Sequence, residues 1–168
     1  MKMIFWFVVT LGVTYLALCL LVYWQQERLL FFPTKLPASF RYSFAQPFTL
    51  YGQSMGSGFA AKLAAQHRPA RLILQSPYFS MRDMAALHFF WLPRFILKYQ
   101  LRTDLWLNEI DCPVYLIHGT VDPVIPYNAS ERLYPLIRGE KALLTVTGGN
   151  HNLLLGSEAI RAFLEKIL

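Results

Sequence analysis

An α/β fold, a short parallel sheet with flanking helices behind one membrane-length helix, is the architecture this sequence predicts. Three observations carry the prediction: an apolar run over residues 4–24, short apolar runs alternating with helical stretches from residue 48 onward, and a strand, Gly-x-Ser-x-Gly turn and small-residue helix over residues 48–61.

The first run opens at Ile4 and closes at Trp24, with only Thr10, Gly12 and Thr14 as mild exceptions. At about 1.5 Å per residue it spans a hydrocarbon core of roughly 30 Å. It exceeds the apolar region of a signal peptide and no small-x-small cleavage site follows, so residues 1–27 read as an uncleaved single-pass anchor. Tyr23 and Trp24 fall where an aromatic belt would sit. Lys2 flanks one side and Arg28, Lys35 and Arg41 the other, so the positive-inside rule does not decide which side of the membrane carries the domain.

The composition of the 168-residue chain agrees with this, its 55% hydrophobic content being concentrated at the start. The net charge of +6 is spread along the chain, which describes a solvated surface with a modest attraction to anionic lipid and argues against a nucleic-acid site. Two cysteines, Cys19 inside the apolar run and Cys112 far from it, make no disulfide framework.

Residues 28–47 are aromatic, contain Pro33, Pro37 and Pro47, and show no sustained period, so they read as a juxtamembrane linker. The α/β domain then occupies residues 48–168. Apolar runs at 48–51, 72–74, 114–118 and 143–146 suit buried parallel strands. Helical patterns cover 57–67, 128–137 and 157–168, the last with Ile160, Phe163, Leu164 and Ile167 on one face. Residues 80–110, dense in aromatics and cations around Phe89-Phe90-Trp91, form either a helical excursion packed over the sheet or a lid. As a lid the segment would line the substrate site or dip into the membrane interface, with Arg94 and Lys98 at the headgroups.

The chemistry centres on Gly52-Gln53-Ser54-Met55-Gly56, which reads as a nucleophile elbow. In such a turn the serine takes a strained backbone conformation that lifts its hydroxyl clear of strand and helix. Gly52 and Gly56 are expected where a side chain would collide as the helix folds back, and Gly58 with Ala60 and Ala61 continues that close approach. Met55 N–H and the positive helix end then face any oxyanion formed at Ser54. A serine nucleophile needs a base, and the base an acid to orient it. Asp122 lies just past the run at 114–118, and His151 lies just past the run at 143–146 in Thr147-Gly148-Gly149-Asn150. His118 is the rival base, but ends a strand and is expected to pack there. His67 and His88 have no loop context, and Asp83, Asp104 and Asp111 follow no strand.

With these motifs the chain resembles the α/β-hydrolase superfamily, and within it the membrane-anchored, lysophospholipase-like or serine-aminopeptidase-like branch. The resemblance rests on Arg28-Leu29-Leu30-Phe31-Phe32-Pro33, Tyr51-Gly52-Gln53-Ser54-Met55-Gly56, Gln75-Ser76-Pro77, Cys112-Pro113-Val114, His118-Gly119-Thr120-Val121-Asp122 and Gly149-Asn150-His151. It implies a partial α/β-hydrolase fold and a triad of Ser54, Asp122 and His151, acting without metal or cofactor. The implied substrate is a small-molecule or lipid ester, thioester or amide, cleaved through an acyl-enzyme.

The chain also departs from that family. Members carry several strands and helices before the elbow, including a His-Gly loop that supplies a second oxyanion N–H, whereas here only residues 28–47 separate anchor and elbow and no His-Gly precedes Ser54. The join near Ala45-Gln46-Pro47-Phe48 has the look of an internal deletion. Two expectations follow: an open sheet edge beside the serine strand that offers a surface for self-association, and, as the alternative function, an inactive remnant acting only as a membrane-bound interaction protein.

Overall fold

A computed structural model describes residues 1–30, 37, 47–152 and 157–168. Most of the linker, with Phe31-Phe32-Pro33 of the quoted motif and the Ala45-Gln46 join, lies outside the described residues. The first helix, α1 (Lys2–Leu30), is long and apolar enough to cross a membrane and runs into the segment assigned to the linker. Then follow β1 (Thr49–Gln53), α2 (Met55–His67), β2 (Arg71–Gln75), α3 (Met81–His88), a 3₁₀ turn (Arg94–Ile96) and α4 (Thr103–Leu107). The chain closes with β3 (Val114–Gly119), α5 (Asn128–Leu133), a 3₁₀ turn (Tyr134–Leu136), β4 (Lys141–Val146) and α6 (Glu158–Ile167).

All four strands are parallel, in the order β1-β2-β3-β4. The continuous apolar runs suit this arrangement, because a parallel sheet is covered on both faces. On one face Leu72, Leu74 and Leu116 pack against Ala60, Ala61 and Ala64 of α2 and Leu107 of α4. On the other, Ile73, Tyr115 and Ile117 meet Ile160, Phe163 and Leu164 of α6, the apolar face read from the sequence. Among the described strands β1, which leads to Ser54, is outermost on one side.

Four local expectations are corrected. The single helix over 128–137 is instead α5 followed by a 3₁₀ turn, since Pro135 has no N–H to continue the helical ladder. The elbow helix begins at Met55 and not at residue 57, so strand and helix are separated by Ser54 alone. Gly52 is needed as expected: a Cβ there would lie 2.6 Å from Ala60 Cβ and 2.7 Å from Gly56 O. Gly56, by contrast, faces open space, with nothing within 4 Å of a Cβ. Gly58 makes room not for the strand but for Tyr78, whose hydroxyl oxygen would be 2.0 Å from its Cβ.

The 80–110 segment carries α3, the first 3₁₀ turn and α4. Ser80 caps α3 by accepting from Asp83 N–H at 3.1 Å and donating to Asp83 Oδ2 at 2.7 Å. The stretch from Leu92 to Tyr99 then lies along α1. Leu92 and Ile96 pack on Cys19 and Val22, and Gln26, only 4% exposed, donates to Ile96 O at 2.8 Å and accepts from Lys98 N–H at 3.0 Å.

Candidate active site

Ser54 sits at the carboxyl end of β1 with φ 52° and ψ −123°. A left-handed φ on a non-glycine residue costs about 1–3 kcal/mol and persists only where neighbours enforce it. Here they do: Ser54 N–H donates to Gln75 O of β2 at 2.9 Å, and Ser54 O accepts from Ser57 N–H at 3.0 Å and Ser57 Oγ at 2.6 Å. The hydroxyl is thereby turned toward the loops that follow β3 and β4. Met55 opens α2, and the first N–H groups of an α-helix have no partner within it.

Those two loops are tied together. Val121 N–H donates to Gly149 O at 3.1 Å, and Gly148 N–H donates to Thr120 Oγ1 at 2.9 Å. Gly119 is obligatory at their crossing, because a Cβ would fall 2.1 Å from Gly149 O. The pairing brings Asp122 and His151 together: His151 Nδ1 lies 2.8 Å from Asp122 Oδ2 and His151 Nε2 lies 2.9 Å from Ser54 Oγ. An ionised carboxylate only accepts, so Nδ1 carries the proton and Nε2 is left to accept from the serine hydroxyl.

Asp122 is buried and its remaining oxygen is satisfied locally, Oδ1 accepting from Val124 N–H and Ile125 N–H at 2.9 Å each. Burial pushes its carboxyl up, but the N–H groups of Ile125 and Val124 and the His151 imidazole outweigh it, holding the group below its ordinary value. It is therefore an anion at neutral pH.

His118 is not part of this chain of hydrogen bonds to Ser54. It is fully buried; Nε2 donates to Ile125 O at 2.8 Å, and Nδ1 accepts from Ser130 Oγ at 2.7 Å, which fixes the neutral tautomer. Nε2 is also 3.5 Å from Asp122 Oδ2, so His118 props the loop that holds the acid. His88 Nε2 bonds to Val124 O at 2.8 Å on the far side of that loop. Asp104 pairs with Arg102, and Asp83 with Ser80 and Arg132.

A pH dependence follows from His118. Burial lowers its basicity below the ordinary value of 6.5, while the Ile125 carbonyl and Asp122 oppose that shift without cancelling it. Between the lowered folded value and 6.5 the unfolded chain binds more protons, so stability falls as pH drops through that window and is level above it. Asp122 acts in the same sense further down, its contribution being complete above 3.8 and lost as pH falls through the folded value. Thermal melts of the full chain at about pH 5 and pH 7 are expected to differ more for the native chain than for His118→Asn. Equal differences would remove His118 as the source.

Ser54 and Met55 also form one end of a cavity of about 430 Å³, walled by Tyr78, Met81 and Met84 and, across from them, by Val22 and Leu29 of α1. This size is ordinary for a ligand pocket, roughly 300–1,000 Å³. Almost all of its lining is apolar. Met81 and Met84 belong to the 80–110 segment, which as a lid would line the substrate site. Sequence reading missed Tyr78 and Gln26, the latter an uncharged amide closing the apolar run that does not name its partner.

No protein-family model matches the chain. An uncharacterised protein of Mycobacterium tuberculosis is 36% identical over 122 residues, an alignment covering 68% of this chain and 43% of that protein. The lysophosphatidylserine lipase ABHD12 of Danio rerio is 32% identical over 117 residues, covering 58% of this chain and 31% of the lipase. The chain thus matches less than half the length of either relative. Among solved structures, the acylaminoacyl peptidase of Pyrococcus horikoshii superposes with a TM-score of 0.60 at 17% identity, over 73% of this chain and 24% of the peptidase. The parallel sheet with its flanking helices is part of an α/β-hydrolase fold.

Proposed function

We propose that this chain is a serine hydrolase tethered to a membrane by α1, cleaving an acyl ester, thioester or amide through an acyl-enzyme. The observation that carries the reading is the hydrogen-bonded sequence from Asp122 through His151 to Ser54 at the end of an apolar cavity. Ser54 Oγ adds to the acyl carbon while its proton passes to His151 Nε2, and Asp122 stabilises the imidazolium that results. Met55 N–H and the start of α2 face the oxyanion. The tetrahedral adduct collapses as the leaving group takes the proton from Nε2. Water then adds to the acyl-enzyme, giving its proton to the same nitrogen, and a second collapse returns that proton to Ser54 and frees the carboxylic acid. Neither metal nor cofactor is needed in this scheme. A small-molecule or lipid acyl substrate fits the apolar lining, and the names of the lipase and peptidase relatives support ester and amide chemistry alike.

One observation favours a second reading. β1 is outermost among the described strands, and Met55 supplies the single oxyanion donor assigned here. A missing donor alone costs about 10²–10³ in turnover. The alternative is a catalytically inactive remnant whose role is association at the membrane. A serine-directed fluorophosphonate separates the two readings: labelling that disappears in Ser54→Ala is expected of the hydrolase, and a folded, monodisperse sample that takes no label is the remnant.

A further inference from the structure

The anchor helix does more than run out of the domain. It lies against the excursion between α3 and α4, with contacts from Tyr15, whose hydroxyl donates to Trp91 O at 2.9 Å, to Glu27, whose Oε1 accepts from Tyr99 OH at 2.9 Å. Those two positions are roughly 18 Å apart along a helix rising about 1.5 Å per residue, more than half of a hydrocarbon core of about 30 Å. With α1 in a bilayer, Trp91, bonded to Tyr15, therefore sits below the level of Tyr23 and Trp24, and Tyr99, bonded to Glu27, sits beyond it. The side chains of the excursion suit that position: among the described residues Phe90 and Phe95 are 86% and 87% exposed. Lys98 Nζ lies 4.5 Å from the Tyr23 ring centre, where an interfacial cation is expected.

The cavity that ends at Ser54 opens between these two elements. Its lining includes Val22 and Leu29 of α1, Leu92 and Leu97 of the excursion, and Met84 of α3. Gln26 fixes the spacing of the walls. Its carboxamide is buried and meets the backbone on both sides of Leu97, donating to Ile96 O and accepting from Lys98 N–H, as a neighbouring strand would. A buried amide that lost either bond would be left desolvated and unpaired, so the latch is specific.

We infer, resting on the hydrolase reading, that α1 is itself a wall of the substrate site, with the excursion latched to it by Gln26. A single long acyl chain then passes sideways from the membrane leaflet to Ser54 without crossing water. Leu29 lines the route beyond the level of Trp24, and Gln26 is a positioning residue.

The test uses the full chain in phosphatidylcholine vesicles and two fluorophosphonates that differ only in carrying an ethyl or a hexadecyl chain. The readout is the ratio of hexadecyl to ethyl labelling rates at Ser54. Leu29→Trp, which narrows the route from an exposed helix position, and Gln26→Ala, which frees the latch, are each expected to lower that ratio by about tenfold or more, since pocket contacts discriminate by factors of roughly 10–200 per methylene-sized change. A ratio unchanged in Leu29→Trp overturns the inference while leaving the hydrolase intact. If neither probe labels the native chain, it is the hydrolase reading that fails, and the route is read separately in Ser54→Ala with a photoreactive palmitoyl lipid. Crosslinks at Met81 or Met84 that vanish with Leu29→Trp support the route. Crosslinks confined to the outer face of α1, or at Met84 but indifferent to Leu29→Trp, overturn it.

Discussion

His151→Ala is expected to lower turnover of an activated ester by about 10⁶-fold, to the level that binding and oxyanion donors alone supply. The size of the effect comes from the position of the imidazole between two partners. Its Nε2 is 2.9 Å from Ser54 Oγ, and its Nδ1 is 2.8 Å from a carboxylate that is buried and already accepts two backbone N–H bonds. On the proposed mechanism, alanine removes both the base for the Ser54 hydroxyl and the acid for the leaving group, so both halves of the reaction would stop. His118 cannot substitute, because both of its ring nitrogens are engaged by Ser130 and Ile125. Steady-state kinetics on a short activated ester measures the loss. Retention of even a tenth of native turnover in His151→Ala would show that another group takes the proton.

Gly119→Ala is the second large effect, and it comes from a residue that touches no substrate. The new methyl would lie 2.1 Å from Gly149 O and 2.5 Å from Gly149 C, so backbone must move. Gly149 has little freedom to yield, its N–H donating to Val146 O at 3.0 Å and its carbonyl accepting from Val121 at 3.1 Å. The shift falls on the loop that carries His151. A displacement of about 1 Å at a reacting group costs roughly 10²-fold in rate, and overpacking of this kind costs about 1–3 kcal/mol of stability. Both are measurable on one preparation, as a fall in kcat and in the thermal midpoint. Native turnover in Gly119→Ala would mean the crossing of the two loops does not set the distance between acid and base.

The parts of this molecule that can be read from sequence are those whose physics is local. The elbow is legible because Gly52, Ser54 and the alanines of α2 are a requirement of a tight strand-to-helix turn. The positions of Asp122 and His151 after strands are legible because each follows an apolar run that suits a strand, realised as β3 and β4. The register of α6 is legible from the spacing of Ile160, Phe163 and Leu164. What escapes is whatever depends on a partner distant in the chain. Gly119 reads as part of a turn until Gly149 is seen against it, and Gln26 reads as the polar end of an anchor until Ile96 and Lys98 are seen on either side of its amide. Gly56 fails the other way: its place in the motif suggested crowding, yet it borders open space. Pro135 was visible in the sequence, and its interruption of the helix over 128–137 should have been read there.

The order of the strands has one more consequence, for biosynthesis. Ser54 follows β1, whereas His151 follows β4 at the opposite side of the four-stranded sheet, so hydroxyl and imidazole meet only after the last strand has paired. On the hydrolase reading, a nascent chain made only as far as β3 carries Ser54 without its proposed base, and the proposed activity would begin only once β4 has paired.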